Sequence, residues 1–265
     1  MNTDDVLQFT AEMQKQKGKV ALITITGVTG STPAGIGQMM AVTSKGESVG
    51  TVGGGAAEHA LKQKAVQAIE EGKAFFTFSF ELSETGMVCG GTVSGFGNVF
   101  GIQHRVVIFG GGHIARCIAP IAAVAGFDVT IVEERAEMES FFSGSINANV
   151  RFILSHPGEY EDKISLDKNT YVVITTYGHQ ADQAALNFCI NKDLAYLGMI
   201  GSKRKIEVIK STLDFSEKVV KHLYAPIGLD IASEKPGEIA VGIVAEILAV
   251  KNKGILRHKK DGEYV

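Results

Sequence analysis

Apolar residues follow two rhythms along this chain, and the change between them falls at "FGIQH", residues 100–104. In the first half, short β-branched or aromatic runs are mixed with helical patterns. Residues 3–17 predict a helix, with Thr3 as N-cap and Asp4 and Asp5 in the first turn, where carboxylates oppose the positive end of the helix dipole. "KVALITI" (19–25) predicts a strand. "TGVTGSTPAGIG" (26–37) concentrates Gly, Ser, Thr and Pro and reads as an irregular loop, too long for a hairpin. After "QMMAVT" and "SVGTV", the glycines 53–55 lead into "AAEHALKQKAVQAIEEG", whose apolar positions recur at helical spacing up to Gly72. A strand, "AFFTFSFEL", and a second glycine-rich segment, "GMVCGGTVSGFGNVFG", complete a mixed α+β domain expected over residues 1–100.

From Arg105 the rhythm becomes one of short apolar strands alternating with helices: "RVVIFG", "DVTIVEE", "VRFIL", "TYVVITT" and "AYLGMIG". That alternation predicts an α/β domain, a Rossmann-like doubly wound parallel sheet over residues 104–265. Its last helix is expected to begin at Pro236, because the missing proline N–H has no helical partner at the first position. The apolar "RVVIF" runs into Gly110, Gly112 and Ala115, a G-x-G-x-x-A turn opening the helix "HIARCIAPIAAVAGF", and Glu133 and Glu134 follow about twenty residues on. This is the context of a dinucleotide-binding turn: close backbone approach to a pyrophosphate, and an acid for a ribose hydroxyl. Arg135 keeps NAD and NADP both open, since a guanidinium there can pair with a 2′-phosphate.

Ligands of such sheets sit at the carboxyl ends of the strands, so polar residues after the later strands should face the same crevice. "TTYGHQAD" puts His179 and Asp182 at a helix start, and "GMIGSKRK" puts Ser202, Lys203, Arg204 and Lys205 at the next. Helix N-termini with adjacent Ser and Lys offer donors for a phosphate. The competing readings are an N-terminal capping arrangement for His179 and Asp182 and a solvated face for "SKRK".

Composition narrows the function classes. With 265 residues, two domains are expected. A hydrophobic fraction of 45% and a net charge of -3 describe an ordinary globular chain with no footprint for nucleic acid. The basic cluster from Lys251 to Lys260 reads as a solvated tail. "MNTDDV" is acidic where a signal peptide would be basic, and no apolar run reaches the roughly 20 residues of a bilayer span, so no membrane partner and a cytoplasmic protein are expected. Cys89, Cys117 and Cys189 form no CxxC pair, so neither a disulfide framework nor structural zinc is implied.

The ordered set "GSTPAGIGQMMAV", "GTVGGGAAE", "GMVCGG", "GGGHIA", "YGHQADQ", "YLGMIGSKRK" and "YAPIGLDIASEKPGEIAVGIVAEI" resembles the XdhC/CoxI family of xanthine dehydrogenase accessory proteins over nearly the whole chain. The resemblance implies a maturation factor that binds the molybdenum cofactor (molybdopterin), supports its sulfuration with a cysteine desulfurase, and delivers it to a molybdenum hydroxylase client of the xanthine dehydrogenase type. It implies an N-terminal XdhC domain joined to a Rossmann domain and, as site residues, Ser31, Thr32, Pro33, Gly53, Gly54, Gly55, Glu58, Cys89, Gly90 and Gly91. In the second half it implies Gly110, Gly112, His113, His179, Asp182, Gly201, Ser202, Arg204 and Asp230; Glu133 and Lys203 join these from the motif reading above. Ala34 departs from the family, which commonly has Arg after the Pro.

A pterin phosphate needs backbone N–H cradles and molybdenum favours soft sulfur, which makes the two glycine turns candidates for different phosphates at an interdomain cleft. Cys89 is the candidate metal contact, with an inert buried thiol as the competing reading. NAD(P) is the second expected cofactor and a homodimer the expected assembly. Two other functions compete. One is an NAD(P)-dependent oxidoreductase, although no Tyr-x-x-x-Lys pair of a short-chain dehydrogenase occurs; the other is a nucleotide-sensing regulator.

Overall fold

The computed structural model describes residues 3–81, 91–142, 150–202, 206–207 and 223–257. The chain divides into two compact units, Met1–Ile102 and Gln103–Val265.

In the first unit, helix α1 (Thr3–Lys15) precedes strands β1 (Val20–Thr29), β2 (Met39–Thr43) and β3 (Ser48–Gly50). Helix α2 (Gly55–Glu70) and strands β4 (Phe75–Glu81) and β5 (Thr92–Phe100) follow. The strands form an antiparallel sheet in the order β3-β2-β1-β5-β4. Because side chains alternate along a strand, β1 faces two layers. Ala21, Ile23 and Ile25 pack under Leu61, Ala65 and Ile69 of α2, while Val20 packs with Val6 of α1.

Two expectations are corrected. The segment 26–37 joins β1 and β2, which pair directly as antiparallel neighbours. The Ile25 N–H donates to the carbonyl of Gln38, and the Gly37 N–H to that of Ile25, which closes the base of a long-looped hairpin. The glycine-rich segment 86–101 also contains a strand, β5, lying between β1 and β4. Gly95 and Gly97 pair with Phe78 and Phe76 across the ladder, and the rings fold over the glycines: a Cβ on Gly97 would lie 2.3 Å from Phe76 Cζ.

The second unit contains β6 (Arg105–Phe109), helix α3 (His113–Val124), β7 (Asp128–Glu133), β8 (Val150–Leu154), the short helix α4 (Tyr160–Lys163) and β9 (Thr170–Ile174). Helix α5 (His179–Cys189), β10 (Tyr196–Met199), β11 (Leu223–Tyr224) and helix α6 (Pro236–Asn252) complete it. All strand pairs are parallel, in the order β11-β10-β9-β6-β7-β8, which is the expected doubly wound sheet. Val106, Ile108 and Val173 point to one face and pack with Ile118 of α3 and Ile243 of α6; Val107, Phe109 and Val172 point to the other, with Leu186 of α5. Order thus reverses between β6 and β9, and Gly110 stands at that point. No helix among the described residues is long and apolar enough to cross a membrane.

His104, just before β6, packs edge-on to Tyr171, with its Nδ1 buried and without a hydrogen-bond partner among the described residues. Burial and the nearby charge of Lys251 push its pKa below 6.5. The neutral form is therefore preferred in the fold. Stability should be complete above about pH 6.5 and decline as pH falls from there toward the lower folded pKa. Thermal denaturation between pH 7.5 and 5 should show this decline in the native protein and a shallower one in His104→Phe, which keeps a ring but cannot titrate.

Candidate functional site

The second glycine turn is built by close backbone contact. Gly110 has φ +97°, its N–H donates to the Val132 carbonyl at 2.8 Å, and the Thr175 N–H donates to the Phe109 carbonyl at 2.8 Å. A Cβ on Gly110 would lie 2.5 Å from the Thr175 carbonyl oxygen, so only glycine lets the ends of β6 and β9 meet. Gly112 then caps α3 without a side-chain hydrogen bond, and Ala115 is fully buried beneath the turn.

Glu133 ends β7 and is 5% exposed. Its Oε2 accepts from the Gly111 N–H at 2.7 Å and Arg135 Nη2 at 2.8 Å; its Oε1 accepts from the N–H groups of Glu134 (3.0 Å) and Arg135 (3.2 Å) and from Arg135 Nε (3.0 Å). A carboxylate has roughly four lone-pair sites, so these donors use its capacity. Burial alone would raise its pKa, but the hydrogen bonds from Arg135 and Gly111 and the Arg135 charge outweigh that and hold it below the usual carboxylate value. In place of a carboxylate open to a ribose, Glu133 is the internal anion that shapes the turn. Glu134, exposed and 3.7 Å from His156 Nδ1, is the acid that faces outward.

After β9, Thr176 Oγ1 donates to Asp182 Oδ1 at 2.6 Å, so the buried Asp182 ties the loop to the first turn of α5. His179 is the first residue of that helix and exposed. Gly110, Glu133, Glu134 and Arg135 share a depression of about 70 Å³ with Tyr160 and Thr176. Burial, then Glu134, Cys189 and Glu133, push the Tyr160 pKa up to about 12, leaving a neutral phenol in that wall. Tyr160, Thr176 and the 91% exposed Tyr177 were absent from the sequence expectation, because nothing local in "TTYG" or "GEYED" distinguishes a crevice residue from a loop residue. Ser202 follows β10 on the same edge of the sheet, with its carbonyl accepting from the Ile206 N–H. Lys203, Arg204 and Lys205 lie outside the described residues. His113 lines a different cavity, about 460 Å³, together with Arg116 and Phe141.

In the first unit three predicted segments meet. A Cβ on Gly53 would lie 3.0 Å from that of Ala34, and one on Gly91 would lie 2.7 Å from the Ser31 carbonyl oxygen. Thr32 Oγ1 accepts the Ala34 N–H at 3.0 Å, which turns the chain immediately after Pro33. Glu58 reaches back from α2: its Oε1 accepts from the Thr51 hydroxyl, the Gly54 N–H at 3.0 Å and the Val52 N–H at 3.3 Å. Both glycine turns therefore already hold a glutamate on their amides. Gly54 has open space where a side chain would stand, and Gly55 starts α2. Cys89 and Gly90 lie outside the described residues. Cys117 is half-buried and Cys189 buried, with its thiol pKa raised by that burial. Among the described residues no three His, Cys, Asp or Glu side chains are grouped to hold a metal ion.

Known proteins resemble both units. Residues 106–247 match the family model of the XdhC Rossmann domain, and residues 13–81 that of the XdhC and CoxI family. The uncharacterized protein YqeB of Escherichia coli is 32% identical over 94% of this chain and 46% of its own length. In Bacillus subtilis, a probable xanthine dehydrogenase subunit is 29% identical over 56% of this chain and 43% of its own. The chain thus spans less than half the length of these curated relatives. A crystal structure described as a xanthine dehydrogenase from Bacillus halodurans covers 97% of both chains with a TM-score of 0.53 at 21% identity, a likeness of fold.

Two substitutions test this geometry. Gly110→Ala should cost about 3 kcal/mol or more, because an L-residue at that φ also collides with the end of β9; urea denaturation measures it. Glu133→Gln should cost about 1–3 kcal/mol at neutral pH. Since the folded pKa of Glu133 is depressed, its contribution is present above about pH 4.5 and lost as pH falls through the folded value, so the gap between native and variant should close in acid.

Proposed function

The chain belongs to the XdhC and CoxI family, and from that premise we propose that it is an accessory factor for a molybdenum hydroxylase of the xanthine dehydrogenase type. Its cargo is the molybdenum cofactor, which it holds while a cysteine desulfurase supplies sulfur and then passes to the client enzyme. The observation that carries this reading is the pair of family matches, one in each unit. The Bacillus subtilis relative, named as a probable xanthine dehydrogenase subunit, supports the class of client.

The meeting of the Ser31–Ala34 loop, the Gly53–Gly55 turn and Gly91 suits the pterin phosphate portion of the cargo, since Gly53 and Gly91 let the three segments close on one another and Gly54 leaves open space beside the start of α2. Ser31 and Thr32 supply hydroxyls beside Pro33, and Glu58 keeps the turn in shape while its own Oε1 is engaged. Cys89, with Gly90 and Gly91 after it, is the proposed sulfur contact for the metal. In the Rossmann unit the crevice formed by Gly110, Gly112 and the end of β9, with His179 and Ser202 at the strand-end edge and Asp182 holding the loop after β9, is the proposed seat of a nucleotide or pyrophosphate, to which the sequence adds Lys203 and Arg204 as phosphate donors. NAD(P) is one candidate.

Protein purified from a molybdate-fed host should carry molybdenum and pterin in equal amounts, measured by metal analysis and by fluorescence of the oxidised pterin. Cys89→Ala should stay folded yet retain several-fold less of both and fail to activate a client hydroxylase. Native protein free of both would overturn the reading, and a Cys89→Ala protein with full cargo and full client activation would remove the cysteine from it.

A further inference from the structure

The depression at the strand ends carries its charge in one short run after β7: Glu133, Glu134 and Arg135. Among the described residues that line it, Arg135 is the only cation. At this place in a doubly wound sheet an acid accepts from the 2′-hydroxyl of an adenosine ribose, whereas a free arginine accommodates a 2′-phosphate. The sequence supplies both, so the choice depends on what each side chain already holds.

The Arg135 guanidinium is already engaged. Its Nε donates to Glu133 Oε1 at 3.0 Å and its Nη2 to Glu133 Oε2 at 2.8 Å, the two-pronged geometry in which a guanidinium and a carboxylate neutralise each other. Glu133 is buried, so drawing Arg135 away to an incoming phosphate would leave a carboxylate charge in the interior without its counter-ion. Nor can Glu133 follow the arginine, because the N–H groups of Gly111, Glu134 and Arg135 fix both of its oxygens. With Arg135 cancelled in this way, the exposed Glu134 carboxylate is the net charge of the wall, and the charge of Glu137 also acts on Arg135. The field that meets a ligand there is negative.

We propose that this crevice selects a dinucleotide whose adenosine ribose has a free 2′-hydroxyl and rejects the 2′-phosphorylated form, which is NAD(H) over NADP(H). Glu134 accepts from the hydroxyl and repels a phosphate. Glu133 is a positioning residue that acts through Arg135, by withholding the cation a 2′-phosphate needs. The inference rests on the nucleotide seat proposed above and decides which nucleotide takes it.

NADH and NADPH are titrated into the full chain at pH 8 and low salt, each followed by its own nicotinamide fluorescence. NADH should bind saturably and at least about tenfold more tightly than NADPH, since like charges set against each other cost at least that much. Glu134→Gln removes the repelling charge at an exposed position, so the fold should survive and the preference should shrink several-fold. Glu133→Gln frees Arg135, and NADPH should gain about tenfold relative to NADH. Adding Arg135→Ala to that variant should remove the gain, a dependence that damage to the turn would not produce, because damage weakens both nucleotides alike. NADPH bound as tightly as NADH, a preference unchanged in Glu134→Gln, or a folded Glu133→Gln protein with no relative gain for NADPH would overturn the inference and leave the nucleotide seat standing. Saturable binding of neither nucleotide would remove the seat and this inference with it.

Discussion

The geometry of the Rossmann unit depends on one buried carboxylate. Glu133 ends the second strand of the parallel sheet, and its oxygens collect the Gly111 amide from one loop and two amides and the guanidinium of Arg135 from the next. A buried carboxylate without donors would cost several kcal/mol, so the loops that supply them are held as tightly as the charge requires. Gly110 then meets β9 backbone to backbone, and the α3 N-terminus is aimed where the strand order reverses.

The first unit repeats the arrangement on an unrelated sheet. Glu58 reaches from α2 to the amides of Val52 and Gly54, much as Glu133 reaches to Gly111. A glycine turn at a helix start exposes amides that must be paired or hydrated, and an internal carboxylate pairs them before any ligand arrives. In both units a ligand phosphate would therefore approach the amides beyond the glutamate, at Gly55 or at Gly112 and His113, rather than the middle of the turn.

The doubly wound sheet was legible because its signal is redundant: strand period, G-x-G-x-x-A spacing and the acid after the next strand all state the same topology. The first unit was less so. In "TVSGFGNVF" the glycines look like loop residues until Phe76 and Phe78, on the neighbouring strand, are seen to cover them. The hairpin through residues 26–37 was hidden for a similar reason, since loop composition reports flexibility and not which strands pair. Glu133 was found as an acid in the right place, but no local pattern tells whether a carboxylate turns inward to amides or outward to a ligand. The Arg116 cavity was invisible, because Arg116 and Phe141, far apart in sequence, meet only in the folded chain. The cysteine of "VCGG" and the cations of "SKRK" lie outside the described residues, so their roles rest on the sequence alone.

The bare centre of β5 carries an evolutionary consequence. Gly95 and Gly97 contribute no side-chain volume, so the packing on that part of the sheet is supplied by the rings of Phe78 and Phe76 from the neighbouring strand. Neither member of such a pair can drift alone: a side chain at 97 displaces the ring, and a small residue at 76 leaves a hole above a glycine. Positions 76 and 97 should change together among related sequences, a correlated signal that would identify this strand pairing from sequences alone, whereas Gly95 is held by the Thr24 carbonyl oxygen of β1, 2.1 Å from where its Cβ would lie.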